Sequence, residues 1–434
     1  MKYYSTNGNS PLASLEDAVV KGLAPDKGLY MPEQIKALDA DFIANMDKYS
    51  FHEIACNVAS SLFGEDISKE ELNKIVCDTL SFPTPIVEVE PNIYSLELFH
   101  GPTAAFKDVG GRFMARMLSH FVGEHSDKIT VLVATSGDTG SAVANGFLGV
   151  EGIDVVILYP KGKVSEIQEK QFTTLGQNIT AIEVDGTFDD CQRLVKTAFA
   201  NQELTSKMTL TSANSINVAR FLPQMFYYFE AFAQIKRKLQ GEDKKVVFCV
   251  PSGNFGNITS ALFGQVMGLP VSRFIAANNM NDIFLEYIKT GIYSPRASVT
   301  TIANAMDVGD PSNFARILDL YKNSWEAIKA NISASAYTDD QIKECINSVY
   351  KNTGYLLDPH GACGYLALKD SIKEGEVGIF LETAHPAKFL DTVEPIIGEK
   401  ITIPETLEKF MSGKKLSIEM SKEFEDFKEY LLSI

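Results

Sequence analysis

The sequence predicts an α/β protein with parallel sheets and a separate helical unit at its N-terminus. Two observations carry this. Between residues 129 and 383, short Val- and Ile-rich runs alternate with helical patterns, and the runs are almost unbroken in apolarity, as strands covered on both faces are. The first 85 residues lack that alternation and hold seven Lys and no Arg against thirteen Asp plus Glu.

Taken in order, helical spacing appears at 14–21 and 51–63, and the Ser81-Phe82-Pro83-Thr84-Pro85 segment closes this first unit. A strand-like stretch follows at 93–99. Strands are expected at 129–135, 154–160, 179–185, 246–252, 273–279 and 377–383. Helices at 139–150, 187–201, 216–239 and 257–267 lie between them, with a further helical region at 314–331 whose lone Trp325 is expected in the core. Crossovers of this kind are right-handed, and ligands bind beyond the carboxyl ends of the strands. Residues 404–434 are charged and helical, with apolar spacing at 423–432, and read as an appendage. The domain expectation is therefore 1–85, 86–400 and 401–434.

Composition narrows function. The 434 residues carry a net charge of −16, with 45% hydrophobic and 22% charged residues, ordinary for a globular chain with its own core. Such a charge argues against a general nucleic-acid binder or a surface that docks on anionic lipid. No run of eighteen apolar residues exists, and the first residues resemble neither a signal nor a transit peptide. Six scattered cysteines form no C-x-x-C pair, so neither a zinc site nor a disulfide framework is expected; a cytoplasmic chain is. The six histidines have no ligand spacing, so no metal is expected.

Five segments have the composition of a chemical site. In Glu97-Leu98-Phe99-His100-Gly101-Pro102-Thr103-Ala104-Ala105-Phe106-Lys107-Asp108, a lysine falls near a helix N-terminus among apolar neighbours. Both surroundings favour the neutral amine, the form that captures an aldehyde. A lysine snorkelling from a first turn fits the same letters. In Val250-Pro251-Ser252-Gly253-Asn254-Phe255-Gly256-Asn257-Ile258-Thr259, two glycines join a strand to a helix, either as an anion cradle or as an ordinary turn. Ala134-Thr135-Ser136-Gly137-Asp138-Thr139-Gly140 is dense in hydroxyls at another helix start, for an anion or for capping. Ser212-Ala213-Asn214-Ser215-Ile216-Asn217-Val218-Ala219-Arg220 places a guanidinium one turn past polar groups, as an oxyanion clamp or as an exposed Arg. Leu381-Glu382-Thr383-Ala384-His385-Pro386-Ala387-Lys388-Phe389 follows the last strong strand. His385 there, and His360 in Asp358-Pro359-His360-Gly361-Ala362, suit a base or a structural hydrogen bond equally.

Together these segments closely resemble the threonine synthase family, pyridoxal-phosphate (PLP) enzymes of the tryptophan-synthase-β-like, fold type II architecture. His-Gly-Pro-Thr-Ala-Ala-Phe-Lys-Asp, Ala-Thr-Ser-Gly-Asp-Thr-Gly, Ser-Gly-Asn-Phe-Gly-Asn and Thr-Ala-His-Pro-Ala-Lys-Phe occur in the family's order, and the acidic helical N-terminus fits its bacterial and fungal branch. The resemblance implies two parallel-sheet lobes, the smaller at about 112–231, and conversion of O-phospho-L-homoserine and water to L-threonine and phosphate. It implies Lys107 as the Schiff-base lysine and general base, Gly253, Asn254, Phe255, Gly256 and Asn257 around the cofactor phosphate, and Thr383 on the pyridine nitrogen. Thr135, Ser136, Asp138 and Thr139 would lie along the substrate carboxylate and the cofactor ring, and Asn214, Ser215 and Arg220 on the substrate phosphate. Asp138 stands where many relatives carry Asn, and an ionised Asp cannot donate to the ring oxygen. The small-molecule substrate would be the partner, and the resemblance favours a monomer. The alternatives are a serine or threonine dehydratase of the same fold and a non-catalytic phosphometabolite sensor.

Overall fold

The computed structural model describes residues 1–123 and 128–434. Contacts gather them into two compact units. The first comprises Met1, 31–106 and 221–402; the second comprises 2–30, 107–220 and 403–434.

The first unit is built on a six-stranded sheet. Its order is Ile332–Ala336, Arg273–Asn278, Lys245–Pro251, Glu376–Glu382, Ile93–Glu97, Ile86–Glu90. All neighbours run parallel except the last pair. Val247, Phe248, Ile275, Ile379 and Phe380 are fully buried, which accounts for the unbroken apolar runs. Register brings the two central strands to a common carboxyl end: Phe380 lies beside Cys249, and Glu382 beside Glu97. Helix Phe51–Phe63 opens on a capping box between Ser50 and Glu53. Its buried face of Ile54, Ala55, Val58 and Leu62 packs on helix Met225–Leu239. From that helix, Gln234 accepts the Ile86 N–H at 2.9 Å and donates to the Thr84 carbonyl at 2.9 Å, fixing the edge strand.

The second unit holds a five-stranded, all-parallel sheet. Its order is Ile418–Met420, Ile179–Val184, Ile153–Pro160, Ile129–Ala134, Thr209–Ser212. The C-terminal helix Phe424–Ser433 lies against helix Phe188–Ala200, and its Phe427 and Leu431 are fully buried in one cluster with Val156, Ile182 and Leu194. Helix Leu15–Lys21 packs on helix Lys107–Val122.

The expected strands lie within about two residues of their sequence positions. Two expected helices break. The 216–239 stretch is Val218–Phe221, a tight turn Leu222–Gln224 and then Met225–Leu239, because Pro223 has no N–H to continue the ladder. The 314–331 stretch divides into Phe314–Leu320 and Trp325–Asn331 where Lys322 and Asn323 turn left-handed, at φ 51° and 58°. Trp325 is half-buried rather than core, its indole N–H donating to the Tyr287 carbonyl at 3.0 Å. Strands Thr209–Ser212 and Ile332–Ala336 carry no unbroken apolar run, and the sequence reading does not find them. Among the described residues, no helix is long and apolar enough to cross a membrane.

Candidate active site

In the first unit, three loops leave the carboxyl ends of neighbouring strands. The strand Lys245–Pro251 runs into Ser252-Gly253-Asn254-Phe255, and helix Gly256–Val266 follows. Phe255 turns the chain at φ 61° and buries its ring against Phe284, 4.7 Å between centroids. No side chain caps this helix, so its first N–H groups keep their donor capacity. Asn254 is held by Asn313, whose Nδ2 donates to the Asn254 carbonyl at 3.1 Å, and by Ser312, whose N–H donates to Asn254 Oδ1 at 2.6 Å. A Cβ on Gly253 would meet the Ala305 carbonyl and Met306 Cα at 2.8 Å, so the loop backbone packs as only glycine allows. Asn257 Oδ1 accepts from Tyr228 at 2.6 Å and Tyr227 at 3.1 Å, while its Nδ2 is buried with no hydrogen-bond partner among the described residues. An uncapped helix start beside an orphaned buried donor fits a bound phosphate.

The second loop begins at Glu382 and carries the buried Thr383. The third descends from Ile93–Glu97 and pairs with it: Ala105 bridges Ala384, Phe106 N–H donates to the Thr383 carbonyl at 2.9 Å, and His385 N–H donates to the Ala104 carbonyl at 3.1 Å. Ala104 reaches this geometry at φ 53°. Lys107 is the next residue of the chain after Phe106. The turn is braced from behind by the buried Lys388, which donates to the Thr103 carbonyl at 2.8 Å. His385 Nδ1 accepts the Ala387 N–H at 3.1 Å, and burial lowers the ring's pKa to about 4. That histidine is a neutral turn brace; it does not supply a base.

In the second unit, Lys107 opens helix Lys107–Val122 and is half-buried. The helix approaches its neighbours through glycines: a Cβ on Gly111 would lie 2.8 Å from the Ala142 carbonyl of helix Asp138–Phe147, and one on Gly110 would lie 2.4 Å from the Arg220 carbonyl of helix Val218–Phe221. Arg220 is buried, with Nε donating to the Ala213 carbonyl at 2.7 Å and Nη1 to the Lys107 carbonyl at 3.1 Å. The loop after Ile129–Ala134 and the loop after Thr209–Ser212 leave adjacent strands, and Asn214 Nδ2 donates to the Ala134 carbonyl at 3.4 Å. Asn217 Nδ2 reaches back to the Val19 carbonyl at 2.8 Å. The unit thus brings Lys107, Arg220, Asn214 and the 135–139 loop into one neighbourhood.

Not every predicted residue faces outward. The Thr135 hydroxyl accepts the Gly140 N–H at 2.8 Å and the Gly137 N–H at 3.0 Å, so it is occupied in shaping its own loop. Asp138 Oδ1 accepts from Gln168 at 2.8 Å, a neutral donor that the spacing gave no reason to expect. Ser136, Thr139, Asn214 and Ser215 are half-buried.

The sequence reading missed one group. Glu382, buried at the very end of an apolar strand, accepts the Asp358 N–H on Oε1, and its Oε2 has no partner among the described residues. A dry site, with Asp358 and Glu97 as acidic neighbours, raises its pKa well above the ordinary carboxyl range. The only sequence signal was an acid closing the apolar run Ile379-Phe380-Leu381. Folding therefore takes up a proton between the ordinary and the raised pKa, and stability falls as pH rises across that span, by up to about 1.4 kcal/mol per pH unit. Glu382→Gln removes this dependence. Relative to wild type, the variant's melting temperature should gain steadily as pH rises above the ordinary carboxyl range. A gap that stays constant with pH would mean that Glu382 is ionised in the folded chain.

Comparison with known proteins finds relatives over the whole chain. Residues 78–382 match the model of pyridoxal-phosphate dependent enzymes, 2–80 that of the threonine synthase N terminus and 361–431 that of the threonine synthase C-terminal region. The chain is 44% identical to threonine synthase of Haemophilus influenzae, with all of both chains covered. It superposes on the crystal structure of threonine synthase from Escherichia coli with a TM-score of 0.93 at 42% identity, again covering both chains completely. The PLP-bound threonine synthase of Brucella melitensis gives a TM-score of 0.93 at 35% identity, over 99% of this chain and 98% of that one. With an uncapped phosphate-ready helix start, a lysine opening a helix beside a paired turn and full-length identity above 40%, this chain belongs to the threonine synthase family of pyridoxal-phosphate-dependent enzymes.

Proposed function

We propose that the chain converts O-phospho-L-homoserine and water to L-threonine and phosphate, with PLP held by Lys107, the Gly253–Asn257 loop and Thr383. The observation that carries this reading is the hydrogen bond from Phe106 N–H to the Thr383 carbonyl, because it ties the residue before the lysine to the residue expected on the pyridine nitrogen. Bound PLP supplies an aldehyde for an amine and a ring that draws electrons from the attached carbon skeleton.

The rest is the work of the chain's own groups. The N–H groups at the start of helix Gly256–Val266 and Asn257 Nδ2 hold the cofactor phosphate. The Thr383 hydroxyl, a neutral partner, leaves the pyridine nitrogen largely unprotonated. Lys107 Nζ takes the substrate Cα proton and hands it on before it takes a Cβ proton, while phosphate leaves Cγ. Reprotonation at Cγ and addition of water at Cβ complete threonine. Ser136, Asp138 and Thr139 orient the substrate carboxylate, with Thr135 shaping the loop that presents them. Arg220, Asn214 and Ser215 hold the leaving phosphate; a buried guanidinium is a strong point of attachment for it. The reading extends to a monomer in a reducing cytoplasm, in keeping with its six free cysteines, four of them buried.

The test is product analysis. PLP-loaded protein given O-phosphohomoserine should release phosphate and threonine in equal amounts. No phosphate release would end the reading, and 2-oxobutanoate as the main product would transfer it to a dehydratase.

A further inference from the structure

Behind the Thr383 and Gly253–Asn257 loops of the first unit runs a buried polar chain with no part in the reaction so far. Asp358 caps helix Pro359–Ser371: Oδ1 accepts the His360 N–H at 2.6 Å and the Gly361 N–H at 3.4 Å. The same oxygen lies 2.7 Å from His360 Nδ1. Oδ2 accepts the N–H of Ala384, the residue after Thr383, at 3.2 Å. At the other side of the imidazole, Nε2 lies 3.2 Å from the Ala305 N–H. A backbone N–H can only donate, so Nε2 is the acceptor and Nδ1 carries the proton toward Asp358. Ala305 in turn presents the carbonyl against which Gly253 is packed, 2.8 Å from where its Cβ would stand. Asp358 is 0% and His360 2% exposed, so neither meets solvent.

One imidazole–carboxylate pair therefore joins the strand end that carries Thr383 to the backbone wall behind Gly253. We propose that Asp358 and His360 are positioning residues that fix the separation between Thr383 and the Gly253–Asn257 loop, and with it the fit of both ends of one rigid cofactor. This rests on the reading of that site under Proposed function. Tight binding of a rigid ligand needs both grips held to a fraction of an ångström, and groups behind the contact residues supply that restraint. A merely structural pair would stabilise the fold without selecting that separation.

Two variants divide the bridge. His360→Asn puts an amide N–H where Nδ1 stands, keeping Asp358 and losing Ala305. His360→Gln reaches Ala305 and loses Asp358. Each is compared with wild type for PLP dissociation constant by equilibrium dialysis, for the absorption maximum of the bound cofactor, and for the melting temperature of the cofactor-free protein. Glu376→Gln is the control, because it breaks the Arg273–Glu376 pair at the opposite end of the same strand. Both His360 variants should weaken PLP binding by about tenfold or more and shift the absorption maximum, beyond anything the control shows at equal loss of melting temperature. PLP affinity within about twofold of wild type in either variant, or equal weakening in the control, would overturn the proposal. Wild-type protein that takes up no PLP would overturn the proposed function itself, and this inference with it.

Discussion

Lys107→Ala should abolish turnover, lowering phosphate release from O-phosphohomoserine by at least about a thousandfold, with the protein still folded. The side chain is half-buried at the first residue of its helix, so its loss removes a reactive amine without opening a core cavity. Neither His385 nor His360 is placed to take over. His385 is a neutral acceptor for its own turn, and His360 is sealed between Asp358 and Ala305. The variant should still take up PLP more weakly, because the helix start at Gly256 and Asn257 is untouched. Borohydride reduction distinguishes the two proteins: wild type should keep a cofactor label that maps to Lys107, and the variant should keep none. A label on another lysine, or turnover within about tenfold of wild type, would remove Lys107 from its assigned role.

Arg220→Lys should raise KM for O-phosphohomoserine about a hundredfold and lower kcat about tenfold, while PLP affinity changes only a few-fold. The expected KM effect follows from losing a planar fork that holds phosphate through paired N–H groups. The kcat effect follows from the structure. Arg220 also donates to the Lys107 carbonyl and packs its own carbonyl on Gly110, so it braces the helix turn that presents the amine. A lysine ammonium cannot make the Ala213 and Lys107 bonds together in that geometry. Steady-state kinetics and PLP titration on one preparation separate the effects. Unchanged KM would detach Arg220 from substrate phosphate, and unchanged kcat would detach it from Lys107.

The central strands were legible because burial on both faces forces continuous apolar runs, as in Val246–Val250 and Ile379–Leu381. Thr209–Ser212 and Ile332–Ala336 were not, because small polar residues satisfy an outer strand without such a run. The helix at 216–239 looked continuous because its apolar spacing runs straight through Pro223, and spacing says nothing about a missing N–H. Site composition was readable where a loop concentrates its donors, as around Gly253 and Ser136. What each group does was not. Thr135 turns inward to its own loop. Asp358 and Glu382 meet across 24 positions, and only folding brings those two acids together. No periodicity encodes such a pairing; it depends on which helix covers which strand end.

The placement of Phe427 and Leu431 has a consequence for synthesis. The five-stranded sheet receives its first strands early, yet the hydrophobic cluster on its covered face is complete only once residues 424–433 exist. Until then a nascent chain lacks the Phe427 and Leu431 side chains that cover part of helix Phe188–Ala200, and apolar surface left open during synthesis invites aggregation and engages chaperones. Completion of this unit's core waits on residues 424–433. A stop before residue 424 would leave a product with every proposed catalytic group present and its core incomplete.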